Sequence, residues 1–287
     1  MDIIKLEAYA KINICLDVTG KRADGYHDVR MVMTSISLKD VVTVKKSDRM
    51  GLTCTDPEVP AGETNLAWRA ALKVMEEFPE AGPVEIHIEK NIPMAAGLAG
   101  GSTDAAAVIK AMDKLYGLEM SGPEMDGVAV KIGADVPYCL RRGTYLAEGI
   151  GEKLTPVRDI SGVYLVLANP DFQISTKEIY QALDSEEKVL HPDTDGLISR
   201  AEAGDIQGWS RLMGNVFEPV TERLCPKVKE LRERLLGLGA LGSRMTGTGP
   251  TVFAAFATEE AARAAIEILK ADDTVRSFMC RFVGKEQ

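Results

Sequence analysis

Three stretches of this 287-residue chain combine residue types and spacings suited to chemistry on a phosphorylated ligand. The densest is Pro93-Met94-Ala95-Ala96-Gly97-Leu98-Ala99-Gly100-Gly101-Ser102-Thr103. Its glycines let the backbone approach a ligand and turn N–H groups inward, and a helix starting directly behind them would add its positive end. Ser102 or Thr103 is expected to cap that helix, because Ala106, Ala107, Ile109 and Leu115 recur at helical spacing. A glycine run alone reads equally as a flexible loop or an anion cradle, and the helical pattern that follows favours the cradle.

The second stretch is Ala10-Lys11-Ile12-Asn13, on a strand whose alternation puts Lys11 and Asn13 on one face and Ile12 and Ile14 on the other. A lysine on an otherwise buried strand either guards an edge against aggregation or takes part in chemistry. The third runs from Gly242 to Thr251, where Gly247 and Gly249 either permit close approach to a ligand or form a tight turn. Asp135, within Gly133-Ala134-Asp135-Val136-Pro137, is either a turn cap before proline or a carboxylate placed as a general base. Walker A, dinucleotide-fingerprint and protein-kinase signatures are all missing, so any ATP chemistry must use another architecture.

The elements that must hold these stretches are legible as patterns. Residues 3–18, 41–44, 84–89, 163–168, 251–256 and 278–283 read as strands, with two short strands around a glycine turn in 143–154. Strict alternation in 84–89 buries Val84, Ile86 and Ile88 and leaves His87 on the wetter face, while 163–168 is continuously apolar, as a strand covered on both faces would be. Helical patterns cover 66–78, capped by Thr64, and 102–115, 176–183, 206–213, 226–236 and 259–270. The order is irregular, which predicts an α+β protein of two lobes with a ligand cleft between them, divided into 1–158 and 159–287.

Composition narrows the function class. A net charge of -9 and the lack of any long basic run argue against nucleic acid. Five scattered cysteines without a C-x-x-C indicate neither a disulfide framework nor a zinc site, and three histidines without H-E-x-x-H argue against a histidine-held metal. No signal-peptide pattern or long apolar run is present, which predicts a soluble cytoplasmic protein with no membrane partner. Oligomeric state is not legible.

Taken in chain order, Ala10–Asn13, Pro93–Thr103 and Gly242–Thr251 together resemble the GHMP kinases, a family named for galactokinase, homoserine, mevalonate and phosphomevalonate kinases. Pro93 to Thr103 is similar to its central motif, and Met245-Thr246-Gly247-Thr248-Gly249-Pro250-Thr251-Val252-Phe253 to its third. Lys21-Arg22-Ala23-Asp24-Gly25-Tyr26-His27, Gly100-Gly101-Ser102-Thr103-Asp104-Ala105-Ala106 and Gly133 to Pro137 resemble the branch acting on a cytidine-diphosphate ester of methylerythritol. The similarity covers nearly the whole chain. It implies the two-lobed fold, ATP as co-substrate with Mg²⁺, and phosphorylation of the 2-hydroxyl of that ester on the non-mevalonate route to isoprenoid precursors.

Carried over by position, the resemblance makes Asp135 the base, Lys11 the cation that holds and polarises the reacting pair, and Asn13 a substrate contact. Tyr26 and His27 would meet the cytosine by stacking and hydrogen bonding. Thr176 and Tyr180, in Ile174-Ser175-Thr176-Lys177-Glu178-Ile179-Tyr180, would lie near the same base, with Tyr180 either completing an aromatic sandwich or packing in the core. Pro93 to Thr103 would bind ATP. Asn65 and Leu66 would lie near adenine, unless Asn65 serves the helix start, and Lys90 would reach the phosphates or stand solvated. Gly247 and Gly249 would border the substrate. No carboxylate is assigned to Mg²⁺, and Ser102 is the one contact named for it. Ala95 and Ala99 depart from the family's usual glycines, so a positive φ at either would strain the loop. Rival readings are another small-molecule kinase of the family and a non-catalytic nucleotide-binding regulator, which would be expected to lose Lys11 or Asp135.

Overall fold

The computed structural model describes residues 2–173 and 175–285; Ile174, the first residue of the Ile174–Tyr180 segment, lies outside them. The chain opens with two long strands, β1 (Ile3–Lys21) and β2 (His27–Lys46), then β3 (Gly51–Cys54), α1 (Leu66–Glu77) and β4 (Val84–Glu89). Next come α2 (Gly100–Tyr116), α3 (Gly122–Ile132), α4 (Val136–Cys139), β5 (Thr144–Gly149), β6 (Lys153–Pro156) and β7 (Tyr164–Pro170). There follow α5 (Thr176–Asp184), α6 (Thr194–Glu202), α7 (Ile206–Leu212), β8 (Gly214–Asn215), α8 (Glu218–Leu224) and α9 (Pro226–Gly237). Last are β9 (Gly242–Met245), β10 (Val252–Phe256), α10 (Glu259–Leu269), β11 (Val275–Cys280) and β12 (Phe282–Val283).

Two compact units form, each assembled from separated segments. The first comprises the chain up to Ala10, Leu38–Met94 and Ala99–Arg142; the second comprises Lys11–Ser37, Ala95–Leu98 and the chain from Gly143 onward. β1 leaves the first unit after Ala10 and β2 re-enters it at Leu38, so a single division after residue 158 does not describe these returns. The cause is strand length: each of the two strands contributes residues to both units.

In the first unit, β4 pairs antiparallel with the distal part of β2, from Val41↔Glu89 to Lys46↔Val84, and parallel with β3. The alternation in β4 holds, with Val84, Ile86 and Ile88 buried and His87 exposed, its Nδ1 2.8 Å from Thr53 Oγ1. Helices α1 and α2 pack on each other, and α1 buries Ala67, Ala70, Ala71 and Val74. Those small side chains, with Ala105, Ala106 and Ala107 of α2, allow close helix approach. The α1 cap is Asn65 rather than Thr64, its Oδ1 accepting the Ala67 N–H at 2.8 Å. Helix α3, absent from the pattern reading, starts with a reciprocal capping box between Ser121 and Glu124.

In the second unit, β5 pairs with the proximal part of β2 and β6 with β5, while β12 pairs with Ser35 and Ile36 and β8 runs parallel to β1 at Cys15 and Leu16. A separate antiparallel sheet runs β11-β7-β10-β9. Leu165, Val166, Leu167 and Ala168 of its inner strand β7 are fully buried, as the continuous apolar run predicts. Helices α9 and α10 pack on this sheet. Part of the supposed loop from Gly242 is strand β9, and the last predicted strand divides at Arg281 into β11 and β12.

Candidate functional site

In the second unit, the Lys11 N–H of β1 donates to Leu98 O at 3.2 Å and its side chain is buried, so Lys11 is not an edge guard. It is 5% exposed, and its Nζ donates to Asn13 Oδ1 at 2.7 Å and to Gly97 O at 3.2 Å. Alternation thus does what the sequence predicts: residues 11 and 13 share a face and meet there. A buried ammonium must keep its acceptors, because desolvation without them is expensive. Asn13 is itself fixed, its N–H donating to Thr246 Oγ1 at 2.9 Å and its Nδ2 directed to Met31 Sδ at 3.1 Å.

Two glycine turns meet behind this pair. Gly97 has φ +75°, and a Cβ there would overlap the Thr246 carbonyl oxygen; Gly247 has φ +59°, and a Cβ there would come within 3.1 Å of Gly97 Cα. The bareness of Gly247 therefore serves loop-on-loop packing, and that of Gly249 leaves room for Met245 and Thr221. Close chain approach accounts for the lack of a side chain at both residues.

The nucleobase candidates divide. His27 Nε2 is 2.7 Å from Asp184 Oδ1, and its ring packs on Tyr180 at 4.8 Å between centroids, tilted by 37°. Tyr180 in turn meets Phe217 edge-on at 4.7 Å. Tyr180 therefore packs on Phe217 on one side and on His27 on the other. Thr176 Oγ1 lies 3.2 Å from Thr248 Oγ1, which ties α5 to the second glycine loop. Tyr26 stands apart as a residue 61% exposed. Asp184 is held below the usual carboxylate range by its bonds to Lys21 and His27.

In the first unit, α2 begins at Gly100, earlier than the pattern placed it, and no side chain caps it. Ser102 and Thr103 are therefore first-turn residues, and the Thr103 hydroxyl donates to Tyr9 O at 2.9 Å instead of capping. The uncapped first-turn N–H groups are the ones an anion would satisfy. Leu66 lies beside Gly101, 3.5 Å from where a Cβ would stand. The Asn65 amide is committed to Ala67 N–H and to Pro60 O, so it serves the helix start.

Lys90 is neither solvated nor an unbalanced cation. Its Nζ lies 2.5 Å from Asp40 Oδ2 and 2.6 Å from Asp104 Oδ2, with all three side chains buried, and stands against Gly100. Asp40 Oδ1 accepts the Asn91 and Ile92 N–H groups. Burial pushes the Asp104 carboxyl up to about 7, opposed by Lys90 and reinforced by Asp40. Burial would lower Lys90, but the two carboxylates outweigh it and raise its pKa. Asp135 sits half-buried at the start of α4 and makes no side-chain cap bond, which removes the turn-cap reading.

Ala95 and Ala99 both adopt positive φ, 49° and 56°, so the two departures from glycine fall where a Cβ is strained. Sequence reasoning missed Asp40, Asp104, Asp184 and Phe217. Asp184 had a signal, standing four residues beyond Tyr180 on the same helix face. Among the described residues, no group of three or more His, Cys, Asp or Glu is disposed to hold a metal ion, and no helix is long and apolar enough to cross a membrane.

Comparisons with known proteins converge on one family. A model of the GHMP kinases N terminal domain matches residues 65–143, and one of the GHMP kinases C terminal matches 197–273. A 4-diphosphocytidyl-2-C-methyl-D-erythritol kinase of Clostridium beijerinckii is 43% identical over 254 residues, 88% of this chain and 91% of that protein. One of Acetivibrio thermocellus is 46% identical over 271 residues, 94% of this chain and 96% of that protein. A crystal structure of 4-(cytidine 5'-diphospho)-2C-methyl-D-erythritol kinase superposes with a TM-score of 0.82 at 33% identity, covering 98% of this chain and all of that one.

Proposed function

The chain belongs to the GHMP kinase family, and on that premise we propose that it transfers the γ-phosphoryl group of ATP to the 2-hydroxyl of 4-diphosphocytidyl-2-C-methyl-D-erythritol. The observation that carries this reading is the set of relatives of that name, which match this chain over about nine-tenths of its length. The reaction belongs to the non-mevalonate route to isoprenoid precursors.

In the transfer a bond forms between the substrate oxygen and the γ-phosphorus, the bond from that phosphorus to the β,γ-bridging oxygen breaks, ADP leaves, and the hydroxyl proton passes to Asp135. Lys11, held by Asn13 and Gly97 O, supplies positive charge for the developing alkoxide and the phosphoryl oxygens. The uncapped start of α2 takes ATP phosphates on its first-turn N–H groups, with Pro93 to Thr103 as the cradle. Leu66 lines the adenine subsite, and Lys90 supports the Gly100 turn from below. His27, Tyr180 and Thr176 receive the cytosine, and exposed Tyr26 closes over it.

Mg²⁺ enters with ATP. That ion binds mainly phosphates and waters with one or two protein ligands, so an all-protein cage is not required, and the Ser102 hydroxyl in the first turn of α2 is a suitable contact. When bound it would supply positive charge that offsets the charge of the phosphates. The chain works in the cytoplasm on small molecules, without nucleic acid or membrane.

ADP release with ATP and Mg²⁺, compared across the cytidine substrate, free methylerythritol phosphate, homoserine and mevalonate, tests the reading. Turnover confined to the cytidine compound is the expected result, and turnover with another alcohol overturns the substrate. Asp135→Asn should lower kcat by about 10² to 10⁴, the usual contribution of a positioned base. Near-normal turnover would remove Asp135 from that role.

A further inference from the structure

We propose that Asn215 is a positioning residue for this reaction, setting Lys11 and the aromatic group at His27 together through the second glycine loop. The inference rests on the roles given above to Lys11 and His27. Asn215 is 7% exposed in the two-residue strand β8, which pairs with β1 at Leu16. The strand that carries Lys11 and Asn13 thus also fixes Asn215.

Its side-chain amide is fully used. Nδ2 donates to Met245 O at 2.9 Å and to Gly247 O at 2.8 Å, while Oδ1 accepts the Phe217 N–H at 2.9 Å. Two carbonyls on one side and an N–H on the other permit one orientation of the amide. Glu218, three residues on, grips the same strand end, its Oε1 accepting the Met245 N–H at 2.7 Å. Together they fix both backbone groups of Met245 and the next carbonyl but one.

From that anchor two paths lead to the substrate groups. Thr246, between the two carbonyls that Asn215 holds, accepts the Asn13 N–H on Oγ1 at 2.9 Å and directs its hydroxyl to Gly97 O at 3.3 Å. Asn13 Oδ1 and Gly97 O both accept from the Lys11 ammonium. In the other direction the backbone of Phe217 is held by Asn215, its ring meets Tyr180 edge-on, and Tyr180 packs on His27. Asn215 thus acts through backbone groups of Met245, Gly247 and Phe217, and its bonds determine where the phosphoryl-side cation and the nucleobase-side ring stand. A small displacement of either lowers kcat steeply, because transfer requires near-attack geometry.

The test is Asn215→Asp, which keeps the shape and replaces both donors with an oxygen facing two carbonyl oxygens. Its kcat should fall about 10²-fold, the scale of a misplacement near 1 Å, and KM for the cytidine substrate should rise. The ratio of variant to wild-type kcat should increase as pH falls, since a protonated carboxyl can donate to one carbonyl again. Asn215→Ser, with one donor left, should be intermediate and serves if the first variant does not fold. Val228→Ala, in the core of α9, supplies a destabilised control with normal kcat. The proposal is overturned if either foldable Asn215 variant keeps wild-type kcat, or loses no more than Val228→Ala at matched Tm. Lys11→Met separates the two levels: if it abolishes turnover while the Asn215 variants work normally, only this inference fails, and if it works normally, the reading of Lys11 fails as well.

Discussion

Asp104 carries the cost of holding the Lys90 ammonium, because its carboxyl is buried with Oδ1 lacking any protein partner. Its pKa is raised from 3.8 to about 7, so the folded state retains a proton that the unfolded chain would release. That group's contribution is complete below 3.8 and is lost as pH rises toward 7. Asp104→Asn should therefore flatten the fall in stability over that window, read from urea unfolding midpoints at several pH values. A slope equal to wild type would mean another group titrates there. Ala95 and Ala99 give the opposite kind of prediction. A left-handed alanine costs roughly 1–2 kcal/mol, partly offset by about 0.5–1 kcal/mol from the greater unfolded freedom of glycine. Ala95→Gly and Ala99→Gly should each stabilise the protein by about 0.5–1 kcal/mol in denaturant titrations.

Among the elements, the turn holding Gly97 is the least tolerant of change. Gly97→Ala combines a disfavoured φ with a clash against Thr246 O, and should destabilise by about 2–3 kcal/mol and lower kcat as the acceptor of Lys11 moves. A soluble variant with wild-type turnover would show that the two glycine loops can separate without harm. The same two loops show how much was legible. Lys11 and Asn13 on a common face, the glycine run before a helix, and Val84–Glu89 were all readable, because each is a local pattern of fixed period. The buried partners Asp40 and Asp104 were not, since an aspartate in sequence looks alike whether solvated or locked to a lysine fifty or fourteen residues away. The sequence offers both Thr64 and Asn65 to the start of α1, because the two adjoin and both are good caps, and the choice depends on backbone entry angle. Helix α3 had a usable signal in Ser121-x-x-Glu124, but its weakly apolar stripe hid it. A two-residue strand such as β8 carries no pattern, being defined wholly by its partners.

At the scale of the molecule, the candidate ATP residues Asn65, Leu66, Lys90, Pro93, Met94 and Ala99 to Thr103 fall in one unit, while Ala95 to Leu98 and the candidate nucleobase residues Tyr26, His27, Thr176 and Tyr180 fall in the other. Hydrogen exchange should divide likewise. A non-hydrolysable ATP analogue with Mg²⁺ should slow exchange in the start of α2 and α1, and cytidine diphosphate should slow it in Tyr26–Arg30 and α5. Identical patterns for the two ligands would contradict the assignment. A composition-based boundary near residue 158 could not register the interleaving, because nothing in a strand's own sequence records that its halves join different cores.

That interleaving also bears on how the protein is made. Lys11–Ser37 leaves the ribosome early, yet the unit to which it belongs is completed only by residues from Gly143 to the end. At about 5–20 residues per second, those buried strand residues wait on the order of ten to fifty seconds for their partners. Newborn chains, more than finished ones, should therefore be the population that depends on chaperones, and a substitution that slows translation late in the message should lower yield without altering the purified enzyme.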